Sequence, residues 1–248
     1  MKSLTLIGIG TGNPEHLTEQ ARTAIAKADL ILVPDKGDGK SDLSSLRMQL
    51  ISGIRPLDQT IVSFQMPVRD PELPYQKAVD LWHDEIAGRW TDAIQSTSNA
   101  DNIALLVWGD PSLYDSTLRI AERLDPKPKL QVIPGLTSLQ LLTAAHAIPL
   151  NMVADAVTIT TGRRLADHGW PQGVNTLAVM LDGRCTFQTL EDGAYHIWWG
   201  AYVGMDEEVL ISGQLSEVCD QIISTRAAER ERHGWIMDIY LLRKLKGA

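Results

Sequence analysis

The first half of the chain alternates short apolar runs with longer segments in which apolar residues recur every three or four positions. Apolar runs bounded by turn residues predict buried strands, and the 3–4 spacing predicts amphipathic helices. The predicted strands are 4–8, 30–33, 61–64, 103–107 and 130–133. The predicted helices are 18–28, 43–51, 75–94 and 116–124. This alternation is typical of an α/β domain with a parallel sheet.

The second half of the chain is richer in strand-like runs. A helix that opens at 134–138 and continues to about residue 147 separates the two halves. The strands predicted after it are 156–160, 176–181, 198–203, 209–212 and 235–242. The helices predicted among them are 186–191 and 215–232. This change of pattern predicts two α/β domains, residues 1–134 and 135–248.

Composition narrows the class of protein. The 248 residues carry a formal net charge of −8, which argues against a generally basic surface for nucleic acid. No window contains 18 apolar residues and the N-terminal residues do not resemble a signal peptide, so we expect a protein without a membrane span. Cys185 and Cys219 lack metal-ligand spacing and are expected to be reduced thiols, as in a cytoplasmic enzyme.

Three glycine-bearing turns directly follow three of the predicted strands in the first half. They are 8–12, 109–111 and 134–135, and the second contains Asp110. Two of these turns also have a purely structural interpretation. In it, Asp110 merely caps its turn, and the 134–138 segment merely begins a helix. Together, however, they place backbone N–H groups and a carboxylate at the carboxyl ends of a sheet, where α/β proteins bind small molecules.

The first of these turns also permits a dinucleotide-binding interpretation. Gly8 and Gly10 lie between a predicted strand and a helix, and Asp35 could hold a ribose at the end of the second strand. The third glycine of that fingerprint is replaced by Asn13. A nicotinamide- or flavin-dependent oxidoreductase is therefore an alternative supported by an incomplete motif.

The complete set of motifs resembles the tetrapyrrole (corrin/porphyrin) methylases that use S-adenosylmethionine. The family's first glycine motif is similar to 8–12, followed by Leu-Thr at 17–18. Its Gly-Asp-Pro-x-x-Tyr motif is similar to 109–114, and its Pro-Gly-x-Thr-Ser motif to 134–138. An Ile-Pro-Leu segment follows at 148–150. The motifs occur in the family's order, and the resemblance covers essentially the whole chain.

The resemblance implies a two-domain tetrapyrrole methylase fold, with S-adenosylmethionine bound in a cleft between the domains and S-adenosylhomocysteine as product. Members of the family are typically homodimers. Position by position, the resemblance implies cofactor contacts at Thr11, Asp110, Leu113, Thr137, Ser138, Met180, Leu181 and Gly204.

Finer patterns are similar to the deacetylating branch of this family. They include Thr11 where proline is usual, Trp108 before the Gly-Asp-Pro turn, and the segments 67–71, 179–183 and 199–204. This branch transfers a methyl group to carbon 1 of precorrin-5 and releases the carbon-20 acetyl group as acetate. The product is precorrin-6A, an intermediate of cobalamin biosynthesis, and the same reaction is the expectation for this chain.

Two other functions remain open at this point. A methylase of the same family could act on another corrin precursor or on a protein or RNA acceptor, although the acidic charge disfavours RNA. The non-enzymatic alternative is a module that binds a tetrapyrrole without turnover.

The expected substrate carries many carboxylates, so an acidic protein needs a local basic rim to bind it. Surface arginines that only contact solvent are the competing interpretation of every candidate. The six histidines show no metal spacing, and the catalytic residues stay unassigned. The candidates for the rim are Lys36, Arg47, Arg69, Arg163 and Arg164.

Overall fold

The computed structural model describes residues 3–35, 42–58, 60–97, 100–190 and 194–245. The chain divides into two compact units, Met1–Thr137 and Ser138–Ala248, and each contains one five-stranded sheet. The predicted two-domain α/β fold is confirmed in its class. Within the described residues, no helix is long and apolar enough to cross a membrane.

The first unit contains a sheet in which every pair of neighbouring strands is parallel. The spatial order is β3-β2-β4-β1-β5, so β1 lies between β4 and β5. The strands are β1 (Ser3–Gly8), β2 (Leu30–Asp35), β3 (Ile61–Gln65), β4 (Asn102–Val107) and β5 (Lys129–Ile133).

Helices cover both faces of this sheet, as expected for parallel strands. One apolar cluster joins Leu6 of the sheet to Ile86 and Trp90, and a second joins Ile7 to Ile25. Leu6 and Ile7 belong to different clusters because successive side chains of a strand point to opposite faces. The helices are α1 (Glu19–Lys27), α2 (Asp42–Ser52), α3 (Tyr75–Gln95) and α4 (Thr117–Ala121), with a 3-10 helix at Pro14–His16.

The second unit contains a mixed sheet with the order β6-β7-β10-β8-β9. Only β6 and β7 are parallel, and the other neighbours are antiparallel. The strands are β6 (Val157–Thr161), β7 (Thr176–Met180), β8 (Tyr195–Ala201), β9 (Val209–Gln214) and β10 (Asp238–Lys244). The helices are α5 (Ser138–Ala145), α6 (Gly162–His168) and α7 (Leu215–His233), with a 3-10 helix at Thr186–Thr189.

An apolar cluster forms the core of the second unit. It includes Trp199, Phe187 and Tyr240, and Ile222 of α7 packs into it. Cys185 lies in the same cluster and is a free thiol, as expected. Burial raises the pKa of the Cys185 thiol to about 11.

Several predicted elements differ from the structure in their bounds or type. Strand β10 is Asp238–Lys244 instead of 235–242, and helix α4 ends at Ala121 instead of 124. Strand β2 continues through Pro34, where we expected it to end. The pairing of β2 with β4 stops at Leu32, so at Pro34 the strand is paired with β3 alone. The N–H that proline lacks therefore removes no hydrogen bond to β4. The helix expected at 186–191 is only the short 3-10 helix, with residue 191 outside the described residues. Strand β8 begins at Tyr195 instead of 198, because the alternation of buried side chains starts there.

Helix α6 was not predicted. Its seven residues follow β6 directly, and the Thr161 hydroxyl accepts a hydrogen bond from the Arg164 N–H at 3.3 Å. The capping hydroxyl is a signal that the sequence contains. The helix is short and polar, so hydrophobic periodicity could not reveal it.

Candidate functional site

Three turns meet at one edge of the first sheet. They follow β1, β4 and β5 and contain Gly8–Gly12, Gly109–Ser112 and Pro134–Thr137, which we call the first, second and third turns. Because β4, β1 and β5 are adjacent and parallel, their carboxyl ends lie side by side. This is the position at which open α/β sheets bind ligands.

The turns are packed backbone against backbone. The Gly109 N–H donates to the Gly10 carbonyl at 2.7 Å, and the Gly10 N–H donates to the Gly109 carbonyl at 3.2 Å. A Cβ on Gly8 would lie 2.5 Å from the Gly135 nitrogen, and one on Gly135 would lie 2.3 Å from the Gly109 carbonyl oxygen. Only glycine at 8 and 135 permits this approach, so the backbone of all three turns is brought to one place.

Asp110 ties the second turn to the third. One of its carboxylate oxygens accepts from the Ser112 N–H at 2.9 Å and from the Ser112 hydroxyl. The other accepts from the Gly135 N–H at 3.0 Å. These three bonds leave about one of the four acceptor positions of an ionised carboxylate for a further donor.

The charge of Asp110 is held in place by the same contacts. Partial burial on its own raises the pKa of the Asp110 carboxyl. The hydrogen bonds from Ser112 and from the Gly135 N–H outweigh burial, so the pKa lies below its ordinary value. Asp110 is therefore an anion at neutral pH, suited to a cationic or hydroxyl-bearing ligand.

Polar atoms on and beside the first turn lack partners among the described residues. Thr11 is 6% exposed, and its hydroxyl oxygen has no hydrogen-bond partner among the described residues. The same holds for the His16 Nδ1 and the Trp108 Nε1. A Cβ on Gly12 would lie 3.0 Å from the Trp108 ring, so this indole packs directly against the turn. Unpartnered buried polar atoms are rare in proteins, so these three atoms are available to hydrogen-bond a water molecule or a ligand.

The first unit places three of its four expected cofactor contacts on these turns and the fourth directly after one of them. Thr11 lies on the first turn and Asp110 on the second. Leu113 comes directly after the second turn, where its N–H donates to the Asp110 carbonyl at 3.2 Å. Thr137 ends the third turn, with its Cα 4.0 Å from the position a Cβ on Gly109 would take.

The second unit places three of its four expected contacts at one end of its sheet. Met180 ends β7 and is in register with Ile239, which is itself in register with Gly200 of β8. Leu181 follows Met180 and is 67% exposed. Gly204 lies shortly after β8, with a φ of +77°. The fourth, Ser138, is the first residue of α5.

The basic residues expected at a substrate rim lie in both units of the chain. Lys36 lies outside the described residues. Arg69 is exposed and its guanidinium carbon is 5.2 Å from the centroid of the Tyr75 ring. Arg163 and Arg164 are both exposed on α6 of the second unit.

Arg47 is buried, unlike Arg69, Arg163 and Arg164. It is 7% exposed, donates to the Leu106 and Leu43 carbonyls at 3.2 Å each, and lies 5.1 Å from the Trp108 ring centroid. Burial lowers the pKa of Arg47 to about 10, opposed by the charge of Asp115. In the structure it connects α2 to the end of β4, and substrate binding by Arg47 stays a prediction.

The sequence identified Gly135 as part of a turn, but not the close backbone approach that requires glycine there. It gave no role to His16, whose buried Nδ1 has no partner among the described residues. Asp182, which organises the turn after β7, entered only as part of a family pattern. Each depends on contacts that a linear motif cannot reveal, although the position of Asp182 at a strand end was a usable signal.

The chain is similar to known proteins in both sequence and fold. The family model of the Tetrapyrrole (Corrin/Porphyrin) Methylases matches residues 3–219. A precorrin-6A synthase [deacetylating] of Sinorhizobium sp is 47% identical over 98% of this chain and 96% of its own length. A crystal structure of a cobalamin synthesis related protein (CobF) from Corynebacterium diphtheriae superposes with a TM-score of 0.84 at 38% identity, covering 99% of this chain and 100% of that one.

A more distant structure shares the fold alone. The uroporphyrin-III C-methyl transferase of Thermus thermophilus, complexed with S-adenosyl homocysteine, has a TM-score of 0.60 at 18% identity. It covers 97% of this chain and 91% of that chain. With the match to the family model over most of the sequence, these likenesses settle the family. The chain belongs to the tetrapyrrole (corrin/porphyrin) methylases.

Proposed function

We propose that this chain is the methyltransferase that converts precorrin-5 to precorrin-6A in cobalamin biosynthesis. It transfers a methyl group from S-adenosylmethionine to carbon 1 and releases the carbon-20 acetyl group as acetate. The observation that carries the proposal is the 47% identity to a precorrin-6A synthase [deacetylating] along nearly the whole of both chains. The TM-score of 0.84 to the CobF structure supports it.

The first unit's turns fit S-adenosylmethionine as the cofactor. The ionised Asp110 suits the cofactor's hydroxyl or ammonium groups, and the unpartnered Thr11 hydroxyl suits a further polar group. The cofactor contacts at Ser138, Met180, Leu181 and Gly204 of the second unit are part of the same proposal. When bound, S-adenosylmethionine supplies an electrophilic methyl group and leaves as S-adenosylhomocysteine.

The work left to the protein is chiefly alignment. The enamine-like ring carbon of the substrate is already nucleophilic, so holding it in line with the methyl group supplies much of the rate acceleration. The rigid backbone packing of Gly8, Gly109 and Gly135 fixes the turns that hold the cofactor. Deacylation additionally needs water addition to a ketone and a proton delivered to the ring, which is general acid–base chemistry.

The test is mass spectrometry of precorrin-5 incubated with the protein and S-adenosylmethionine. We expect a methylated, deacetylated product together with free acetate. Methylation without acetate would contradict the deacylating half of the proposal, and an unchanged substrate would favour a binding module. Calorimetry separates the oxidoreductase alternative, because S-adenosylmethionine and S-adenosylhomocysteine should bind and NAD should not.

Replacing Thr11 with valine is expected to weaken S-adenosylmethionine binding by about five- to tenfold, since a neutral hydrogen bond contributes about 1 kcal/mol. Valine has nearly the shape of threonine and removes a hydroxyl that has no partner among the described residues. The melting temperature should therefore stay unchanged or rise. Calorimetric titration and a melting curve measure the two effects.

Thr11→Ser is the control for this prediction, because it keeps the hydroxyl and should retain most of the affinity. Equal affinities for the wild type and Thr11→Val would contradict a role of the hydroxyl in binding.

Replacing both Arg163 and Arg164 with alanine is expected to raise the KM for precorrin-5 by about tenfold, or about 1.4 kcal/mol. Both side chains are exposed, and each can form charge-assisted hydrogen bonds with substrate carboxylates. Affinity for S-adenosylmethionine should not change. Steady-state kinetics with each substrate varied in turn provides the measurement.

The matched control removes two exposed arginines of α7 in Arg230→Ala with Arg232→Ala, which makes the same change in net charge. If both double variants had the same KM as the wild type, the substrate rim would lie elsewhere. Arg69, Arg47 and Lys36 are then the next residues to replace.

The expected assembly follows from the family resemblance, and the expected location from the reduced cysteines. We expect a homodimer in the cytoplasm that binds neither nucleic acid nor membrane. Light scattering after size-exclusion chromatography measures the assembly, and a mass equal to one chain would contradict it.

A further inference from the structure

The turn after β7 presents an apolar side chain on a strained backbone. Leu181 has a φ of +54° and is 67% exposed. Cys185, four residues later, is also left-handed, with a φ of +53°. Non-glycine residues in this region are unfavourable and persist only where their surroundings fix them. We call residues 181–185 the Leu181 turn.

The carboxylate of Asp182 fixes this turn. One oxygen accepts from the Arg184 N–H and the Thr186 hydroxyl, each at 3.0 Å. The other accepts from the Thr186 N–H at 2.6 Å and the Tyr240 hydroxyl at 2.7 Å. These four donors match the roughly four acceptor positions of an ionised carboxylate. Asp182 is only 6% exposed, so the bonds compensate for its removal from water.

Tyr240 connects the turn to the sheet. It lies on β10 in register with Val179 of β7 and is 1% exposed. Burial and the neighbouring Asp182 raise the pKa of Tyr240 well above its usual range, so its hydroxyl stays protonated as a donor. The rigid sheet therefore holds the Asp182 carboxylate through a single hydroxyl.

Two further contacts surround the backbone and side chain of Asp182. Arg226 of α7 donates to the Asp182 carbonyl at 3.3 Å and forms an ion pair with Asp238 at 2.9 Å. A Cβ on Gly162 would lie 2.3 Å from the Asp182 carboxyl carbon, so glycine at the start of α6 makes room for it. Strands β7 and β10 and helices α6 and α7 thus converge on one aspartate.

We infer that Asp182 is a positioning residue, held by Tyr240, that keeps Leu181 exposed for contact with S-adenosylmethionine. The inference rests on the proposed function, which includes Met180 and Leu181 among the cofactor contacts. A turn that only connected β7 to the next element would not need a leucine in a left-handed, solvent-exposed conformation. A saturated, buried carboxylate supplies the rigidity that such a presentation needs.

Three variants test the inference by calorimetric titration with S-adenosylmethionine. Asp182→Asn replaces one acceptor oxygen of the carboxylate with a donating NH2 group, and we expect it to weaken the affinity for S-adenosylmethionine about tenfold. Tyr240→Phe removes only the hydroxyl, with about a threefold loss expected. Leu181→Ala truncates an exposed side chain, so it should weaken binding about fivefold without lowering the melting temperature. The KM for precorrin-5 should change little in all three.

Tyr195→Phe is the matched control, because it removes the hydroxyl of a buried tyrosine at the opposite end of the same sheet. It should bind S-adenosylmethionine as the wild type does. Wild-type affinity in Leu181→Ala and Tyr240→Phe would overturn the positioning role while leaving the proposed function intact. Failure of the wild type itself to bind S-adenosylmethionine would overturn both.

Discussion

Replacing Asp110 with alanine is expected to weaken S-adenosylmethionine binding by about 30- to 100-fold, or about 2–3 kcal/mol. The change removes the acceptor of the Gly135 N–H and of both Ser112 donors, and with it the charge offered to the cofactor. The second and third turns lose their direct side-chain link. Calorimetric titration of the purified variant measures the affinity.

Asp110→Asn separates the charge from the shape of the side chain. Asparagine can still accept from Ser112, so the turn should persist while the affinity falls by about tenfold. Asp115→Ala is the control, because the Asp115 carboxylate makes the same type of contacts with the N–H and hydroxyl of Thr117. If Asp110→Ala bound the cofactor as tightly as Asp115→Ala, Asp110 would only cap its turn.

Replacing Gly135 with alanine is expected to destabilise the first unit by about 3 kcal/mol or more, which lowers the melting temperature by about 6–12 °C. The new Cβ would lie 2.3 Å from the Gly109 carbonyl oxygen and 2.6 Å from the Gly8 carbonyl carbon. Both neighbours are backbone atoms and cannot rotate away as side chains do. Cofactor binding should be lost with the packing of the turns.

Gly88→Ala is the control for this substitution. Gly88 lies inside α3, and a Cβ there would have no atom within 4 Å. Because glycine weakens helix interiors, alanine should stabilise the chain by about 0.5–1 kcal/mol. Equal melting temperatures for Gly135→Ala and Gly88→Ala would contradict the close backbone packing of the three turns.

The sequence predicted the strands around the first site well because their signals are local. Apolar runs such as 103–107 end in glycine or proline, and parallel strands must bring their carboxyl ends to one edge. The placement of Thr11, Asp110 and Thr137 on adjoining turns follows from this rule. The family resemblance supplied the identity of the ligand, which periodicity alone cannot specify.

The second unit was less predictable because its key contacts are long-range. Asp182 and Tyr240 are 58 residues apart, and only the pairing of β7 with β10 brings them together. Glycine is needed at position 162 because the Asp182 side chain, 20 positions away in the sequence, packs against it. Helix α6 has no apolar periodicity, so its formation depends on the cap at Thr161 and on packing.

The buried arginine illustrates a different limit. Arg47 is a candidate for the basic rim because the expected substrate carries many carboxylates. Its burial against Trp108 and two backbone carbonyls could not be predicted from the sequence, since it depends on where α2 packs on β4. Residue type indicated the chemistry of this side chain, and the fold decided its location.

The most direct test of the proposed function is nuclear magnetic resonance of the product formed from precorrin-5 and S-adenosylmethionine with a ¹³C-labelled methyl group. We expect the label to appear on carbon 1 of the macrocycle and acetate to be released in an amount equal to the methyl transferred. A label on another carbon, or a methylated product that retains the carbon-20 acetyl group, would contradict it.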